Sequence, residues 1–201
     1  MSSLTDLPAQ AVAKAQQYLG RGAAELHYAR KMFEAGALRL ESPQAMAAML
    51  ADIRRWGEFG MIPALNARRH PDHVAVIDDD GEMTFGELDR AAHAVANGLR
   101  AKGVKGGDGV ALLIRNHRWF LVGVYGAARV GARIILLNSE FSGPQIKEVS
   151  EREGARVIIY DDEYTAAVAQ AEPALGKFRA LATNPDSEEP SGSTDDTLAD
   201  L

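Results

Sequence analysis

The chain has 201 residues, of which 46% are hydrophobic and 25% are charged. These values are typical of a folded domain and exclude disorder or fibrous repeats for most of the chain. The formal net charge of −6 gives no support for nucleic-acid binding, and the absence of cysteine excludes disulfides, thiolate nucleophiles and Cys-ligated metals.

The start of the chain has neither the basic region nor the apolar core of a signal peptide. Arg129 and Arg133 interrupt the longest apolar stretch, Trp119 to Leu137, and make a bilayer span there too costly. We therefore expect a cytoplasmic protein, with a location peripheral to the inner face of the membrane as a variant of that expectation.

Residues 1–62 are predicted to form a helical extension. Ser42-Pro43 is a helix start, because Ser caps and Pro fits the first turn. Apolar residues at helical spacing predict one buried face: Met46, Met49, Leu50, Ile53 and Trp56. Two interpretations remain open for residues 11–56, which are an amphipathic membrane-surface contact and a helical hairpin packed on its own domain.

From residue 63 the pattern changes to short strands and helices. The turn at Asp80-Gly81 separates two apolar runs and predicts a hairpin. Thr84 and Glu87 form a capping box that opens a helix ending near Lys102-Gly103. The acidic residues Asp78, Asp80 and Glu82 alternate as calcium ligands can, but the twelve-residue ligand loop is absent, and a solvated hairpin tip is favoured.

Strands and helices then alternate, and the strands recur every 22 to 24 residues. The predicted strands are Val110–Ile114, Arg133–Leu137, Val157–Tyr160 and Arg179–Ala182, and the predicted helices are His117–Val130, Ser142–Glu153 and Glu163–Ala171. Near-continuous apolar strands separated by helices predict βαβ units. The expected fold class is α/β, a mainly parallel sheet flanked by helices, over residues 63–183.

Residues 184–201 are predicted to be an acidic linker without fixed structure. From Leu181 to the end there are six acidic residues and no Lys or Arg, so the other 180 residues hold 22 acids and 22 bases. Pro, Ser and Gly fill much of the remainder, and such a composition buries little apolar surface.

Candidate binding residues are few. The glycines Gly103, Gly106, Gly107 and Gly109 lie between a helix and a strand, whereas a phosphate cradle needs them before a helix. His70 and His73 lack a third metal ligand, and no metal-binding residue is assigned. The best local indication of a site is Asn116 and His117, at the carboxyl end of a predicted strand, although Asn116 is favoured as a helix cap.

Several segments, taken in order and spacing, resemble the start of the AMP-forming acyl-CoA ligases of the adenylate-forming superfamily. They are His70-Pro71-Asp72, Val74-Ala75-Val76, Thr84-Phe85-Gly86-Glu87-Leu88, Ala96-Asn97-Gly98-Leu99, Gly103-Val104, Gly107-Asp108-Gly109-Val110-Ala111-Leu112, Asn116, Tyr125-Gly126-Ala127-Ala128-Arg129-Val130-Gly131-Ala132 and Leu137-Asn138. Gly109 stands where Arg is more usual, and Leu136 where the family often has Pro. The helical extension and Phe141-Ser142-Gly143-Pro144-Gln145 resemble an actinobacterial fatty-acid ligase branch.

The resemblance implies the N-terminal subdomain of an enzyme that joins a fatty acid to CoA through an acyl adenylate. ATP, Mg²⁺ and CoA are implied for the full-length enzyme. In the family the phosphate loop, the ribose-binding Asp, the hinge and the catalytic Lys lie beyond the matched region. We therefore expect an N-terminal fragment, truncated in the gene or by design, with no catalytic residue and no cofactor bound by this chain alone.

Such a fragment is expected to be inactive and to self-associate through exposed apolar surface and an unpaired sheet edge. Two alternatives are kept. One is a stand-alone membrane-surface or interaction module that uses residues 11–56. The other is a small α/β protein that binds a nucleotide or CoA at Asn116 and His117.

Overall fold

A computed structural model of the chain describes residues 27–28, 30–31, 42–180, 193 and 195–198. The chain divides into two compact units, Met1–Met46 and Ala47–Leu201. In the first unit, residues 27–28 and 30–31 are helical. The helix α1, described below, also begins in this unit, at Pro43. The remaining elements belong to the second unit.

The helices and strands follow one another in the order that the sequence predicts. They are α1 (Pro43–Gly60), α2 (Ile62–Arg69), β1 (Val74–Asp78), β2 (Gly81–Thr84), α3 (Phe85–Ala101), β3 (Gly109–Leu113), α4 (Arg118–Val130), β4 (Arg133–Leu136), α5 (Gly143–Arg152), β5 (Ala155–Tyr160), a 3₁₀ turn (Asp162–Tyr164), α6 (Thr165–Val168) and β6 (Lys177–Arg179). None of the helices in these ranges is long and apolar enough to cross a membrane.

Helix α1 starts as predicted, because Ser42 Oγ accepts a hydrogen bond from Ala45 N at 3.1 Å. Its predicted buried face is confirmed in part. Ile53 and Trp56 are half-buried, but Leu50 is 48% exposed. The helix bends at Gly57, whose φ of 71° a side chain would disfavour. The predicted boundary at residues 62 and 63 falls inside α2.

The predicted hairpin and capping box are confirmed. Strands β1 and β2 pair antiparallel, with Asp78 opposite Gly81 at the turn. Glu87 N donates to Thr84 Oγ1 at 3.2 Å, and Thr84 N donates to Glu87 Oε2 at 2.8 Å. These reciprocal bonds satisfy two amides at the start of α3 and fix its first residue.

The predicted parallel sheet is also confirmed. Four strands lie in the order β4-β3-β5-β6, and every neighbouring pair is parallel. All five residues of β3 are buried. Val110 and Leu112 belong to a core cluster with residues of α3 and α4, whereas Ala111 and Leu113 belong to a cluster with residues of α5 and α6. Helices therefore cover the two faces of the sheet, as an α/β fold requires.

Two glycines allow the close approaches on which this packing depends. A Cβ on Gly126 of α4 would lie 2.6 Å from Val95 Cγ1 of α3. A Cβ on Gly109 would lie 2.6 Å from the carbonyl oxygen of Gly154. The second contact gives a physical reason for glycine at position 109.

The last helix and the last strand have different bounds from those predicted. The predicted helix Glu163–Ala171 is a 3₁₀ turn followed by the four-residue α6, and the last strand is Lys177–Arg179 rather than Arg179–Ala182. Tyr164 N donates to Asp161 O at 2.8 Å, an i to i−3 bond that tightens this segment.

A fully buried cation joins three helices. The Arg129 side chain of α4 is completely buried; its Nε donates to Gly60 O at 3.0 Å and its Nη1 to Asp89 O at 2.9 Å. Nη2 is also hydrogen-bonded to Asp89 Oδ1, and the guanidinium lies 4.5 Å from the centroid of the Trp56 ring. The charge is thus paired, and its donors are directed at groups on α1 and α3.

We predict that Arg129→Met lowers the free energy of unfolding by about 3 kcal/mol, because the Asp89 carboxylate and the carbonyl groups of Gly60 and Asp89 lose their Arg129 partner. Arg129→Lys keeps the charge, but its ammonium group lacks the planar guanidinium fork that reaches all three acceptors, so we expect it to recover part of the loss. Urea denaturation followed by circular dichroism measures the effect. The exposed Arg54→Met is the matched control, and equal stabilities of Arg129→Met and Arg54→Met would contradict the prediction.

Candidate functional site

The carboxyl ends of the parallel strands meet at one edge of the sheet. After β3 the chain passes to α4 on one face, and after β4 and β5 it passes to α5 and α6 on the other. Ligands in open α/β sheets bind where neighbouring connections leave toward opposite faces. The β3–α4 loop, which contains Asn116 and His117, lies at such a point.

Asp161 fixes the shape of this loop. The residue follows β5 directly and is 4% exposed. Its Oδ2 accepts hydrogen bonds from Arg115 N at 2.7 Å and from His117 Nε2 at 3.0 Å. Its own amide donates to Leu113 O at 3.0 Å. The sequence analysis missed this role, and an acidic residue placed directly after a buried strand was the available signal.

His117, and not Asn116, is the cap of α4. Trp119 N donates to His117 Nδ1 at 3.3 Å, while the opposite ring nitrogen faces Asp161. Since Nδ1 accepts, the arrangement fits a neutral ring with its proton on Nε2. The predicted Asn116 cap is wrong because the helix begins one residue later, at Arg118, and the Asn116 side chain is left exposed.

The Asp78 carboxylate occupies the N-terminus of α4. Asp78 Oδ2 accepts from Arg118 N at 2.8 Å and from Arg118 Nε at 2.9 Å. Arg118 Nη2 also donates to Gly81 O at 2.9 Å, so the hairpin is held against α4. Phe120 N donates to His117 O, and the amides of the first three helical residues are therefore already engaged. This geometry leaves those amides no role in holding a phosphate group.

The other candidate residues contact groups of the chain itself. His70 and His73 stack with their ring centroids 4.7 Å apart. In the glycine loop, Gly107 N donates to Gly131 O at 2.8 Å, and Asp108 Oδ2 accepts from Lys105 N at 2.9 Å. Across the described ranges, no group of three or more His, Asp or Glu side chains is placed to hold a metal ion.

The hydrogen bonds and charge of Arg118 lower the pKa of Asp78 from 3.8 to about 2. A depressed carboxylate pKa contributes stability that is fully present above pH 3.8 and is lost as the pH falls toward 2.

We therefore predict that Asp78→Asn destabilises the chain by about 2 kcal/mol at pH 7, because the Asp78 and Arg118 side chains are largely buried and lose charge-assisted hydrogen bonds. The difference from the wild type should shrink between pH 4 and pH 2. Urea midpoints of both proteins across this range measure it, and other acidic groups cancel in the difference. A gap between the midpoints that stays constant down to pH 2 would rule out the Asp78–Arg118 pair as its source.

Comparison with known proteins places this geometry in a family. The family described as AMP-binding enzyme matches residues 64–199. A feruloyl-CoA synthase from Amycolatopsis sp is 36% identical over 111 residues, which are 55% of this chain and 23% of that protein. The long-chain-fatty-acid–CoA ligase FadD13 of Mycobacterium tuberculosis is 32% identical over 106 residues, which are 53% of this chain and 20% of that protein.

Solved structures agree with this assignment. The N-terminal domain of FACL13 from Mycobacterium tuberculosis is 30% identical with a TM-score of 0.54, over 57% of this chain and 30% of that one. A benzoate CoA ligase from Burkholderia xenovorans LB400 shares the fold with a TM-score of 0.60 at 20% identity, over 71% of this chain and 27% of that one.

The chain spans about a fifth to a quarter of the length of the curated relatives that it matches. The segments that resemble the acyl-CoA ligases, from His70-Pro71-Asp72 to Leu137-Asn138, all lie within the matched residues. The expected adenylate-forming fold is confirmed, and the chain belongs to the family of AMP-binding enzymes.

Proposed function

We propose that this chain supplies the N-terminal scaffold of a fatty-acid–CoA ligase. In the proposed reaction the fatty-acid carboxylate attacks ATP, which gives an acyl adenylate and pyrophosphate. The CoA thiol then displaces AMP to give acyl-CoA. The match of residues 64–199 to the AMP-binding enzymes carries this proposal, because it covers most of the α/β unit.

The choice of a fatty acid has support from two sources. Relatives include long-chain-fatty-acid–CoA ligases of Mycobacterium tuberculosis and a long-chain fatty acid transport protein of Mus musculus. The segment Phe141–Gln145 resembles the fatty-acid branch. Feruloyl-CoA synthase and benzoate CoA ligase are also similar, so the acid must be tested directly.

In our proposal, this chain holds the loops at the carboxyl ends of the parallel strands in position, and its side chains take no part in the reaction. There the Asp161 carboxylate accepts hydrogen bonds from Arg115 N and His117 Nε2. The Asp78 carboxylate accepts hydrogen bonds from Arg118. These groups hold one another and are not free to move a proton on a substrate. Mg²⁺ is implied by the family, but no described residue cluster fits it, and we assign it no residue of this chain.

We predict that the chain alone releases no pyrophosphate above background when it is incubated with palmitate, ATP, Mg²⁺ and CoA. A coupled pyrophosphate assay measures this, and the Mycobacterium tuberculosis long-chain ligase serves as the positive control. Benzoate and ferulate replace palmitate in parallel reactions. Clear turnover with any of the acids would refute the scaffold role.

The alternative of a small nucleotide- or CoA-binding protein would use Asn116 and His117. His117 already contacts Asp161 and the α4 amides, so the geometry favours the scaffold instead. Flat calorimetric titrations with AMP, ATP and CoA are the result that the scaffold proposal requires.

Self-association is proposed through the edge strand β4. Among the described strands β4 pairs with β3 on one side, and Leu136 is 61% exposed. An apolar groove of about 380 Å³ lies beside it. Its lining residues are Phe59, Phe120, Leu121, Val124, Tyr125, Ile134 and Leu136. Exposed sheet edges and apolar patches of this kind promote pairing between chains.

We predict that the apparent mass of the chain rises with concentration in multi-angle light scattering. Leu136→Lys should reduce this rise, because a charged side chain opposes pairing at a sheet edge. Ile77→Lys, on the 74% exposed Ile77 of the hairpin, is the matched control. A concentration-independent monomer would contradict the prediction, as would equal effects of the two variants.

Contact with an anionic membrane surface through residues 11–56 stays a prediction. Residues 11–26, 29 and 32–41 lie outside the described residues, so the structure contributes residues 27–28, 30–31 and 42–56 to this question. On α1 the side chains of Leu50, Arg54 and Arg55 are exposed. Flotation with vesicles of anionic phospholipid tests the contact.

A further inference from the structure

The described residues of the acidic C-terminal stretch lie along the outer side of β6. This segment, here called the latch, consists of Ser193, Asp195, Asp196, Thr197 and Leu198. Thr197 forms a parallel bridge with Arg179, and Arg179 N donates to Asp196 O at 2.8 Å. The latch therefore continues the sheet in the direction of its other strands. The composition of the stretch did not predict this pairing.

A buried tyrosine holds the latch from inside the sheet. Tyr160, the last residue of β5, is fully buried. Its hydroxyl donates to Asp195 Oδ2 at 2.8 Å and lies 2.8 Å from Ser193 Oγ. Burial is the main reason that the pKa of Tyr160 is raised to about 12, so the phenol remains a donor at neutral pH. Without the latch, this hydroxyl would lose its hydrogen bonds with Asp195 and Ser193.

Arg179 and Leu198 supply the other contacts. Arg179 Nε donates to Asp195 O at 3.0 Å, while Nη1 lies 3.2 Å from Asp162 Oδ1. Leu198 is 4% exposed and belongs to the core cluster on the α3 and α4 face. Lys102 Nζ and Asp196 Oδ2 form an ion pair at 3.1 Å in which both side chains are well exposed.

An open edge of β6 would present unpaired backbone groups to other chains. The latch meets that edge at Arg179 through a single β-bridge, and two of its described residues are acidic. Its described attachment includes hydrogen bonds with Tyr160 and Arg179, an exposed ion pair and one apolar side chain, whereas all five residues of β3 are buried. Segments attached in this way open at lower free energy than the core of a domain.

We propose that Ser193 and residues 195–198 form a latch that covers the β6 edge of the sheet at Arg179, that Tyr160 and Leu198 hold it closed, and that it opens without unfolding of the sheet. The inference concerns this chain itself and holds whether or not the ligase function does.

Hydrogen exchange of the intact chain at pH 7, read by mass spectrometry, tests the latch. Tyr160→Phe removes the hydroxyl and should make exchange across residues 195–198 on the order of fivefold faster, since a lost hydrogen bond costs about 1 kcal/mol. Leu198→Ala is the second variant and should act in the same direction without removing a polar group from the core. Exchange of the β3 amides should stay at its wild-type rate.

Two matched controls separate the latch from general effects. Tyr164→Phe removes a hydroxyl outside the latch, and Lys102→Gln removes an exposed ion pair of small expected worth. Both should change exchange at 195–198 less than twofold. Unchanged exchange in Tyr160→Phe and Leu198→Ala would overturn the latch, and so would acceleration of β3 by the same factor, because opening would then be global.

The covering of the β6 edge has its own measurement. In the Leu136→Lys background, which blocks the β4 edge, Leu198→Ala should raise the association detected by light scattering. No increase, in a protein whose latch exchanges faster, would overturn this covering role.

Discussion

The structure depends on the burial of β3 on both of its faces. A parallel strand whose five residues are all buried needs helices above and below it, and its neighbours must continue the same direction. This constraint places α4 on one face and α5 on the other, and it brings the ends of β3 and β5 together. Asp161 and the loop before α4 then meet at hydrogen-bonding distance. The candidate site follows from the covering of one strand.

The same arrangement explains why the site is structural in character. The three carboxylates Asp78, Asp89 and Asp161 all point at groups of the chain itself. Each one satisfies donors that burial would otherwise leave unpaired, on α4 for Asp78, on Arg129 for Asp89 and on the loop for Asp161. Carboxylates used in this way hold the hairpin, α3, α4 and the β3–α4 loop in fixed positions relative to one another.

Local signals in the sequence were sufficient for much of the fold. Helix ends were predicted from contacts within a few residues. The capping boxes Thr84–Glu87 and Ser142–Gln145 start α3 and α5, and Gly131 ends α4. Gly131, with φ of 79°, is the left-handed residue that ends α4. The regular spacing of apolar strands likewise predicted a parallel sheet without knowledge of any distant contact.

Predictions were less successful where the outcome depended on distant partners. Arg129 is charged and lies in an apolar stretch, and its burial follows from Asp89, Gly60 and Trp56, three residues at different places in the chain. The His117 cap depends on Asp161, 44 positions later. Leu50 fits the apolar face of an isolated helix, yet its exposure is decided by which surfaces are near α1. Periodicity carries no information about such partners.

The contact between Gly126 and Val95 has a consequence for how the sequence can diverge. A methyl group at position 126 would overlap a branched side chain whose own backbone is fixed in α3. Alanine at position 126 thus becomes acceptable once Val95 has been replaced by a smaller residue. If Gly126 is replaced first, the chain passes through a strained intermediate. Homologues that have lost the glycine should therefore carry a smaller residue opposite it, and the two substitutions should occur as a pair.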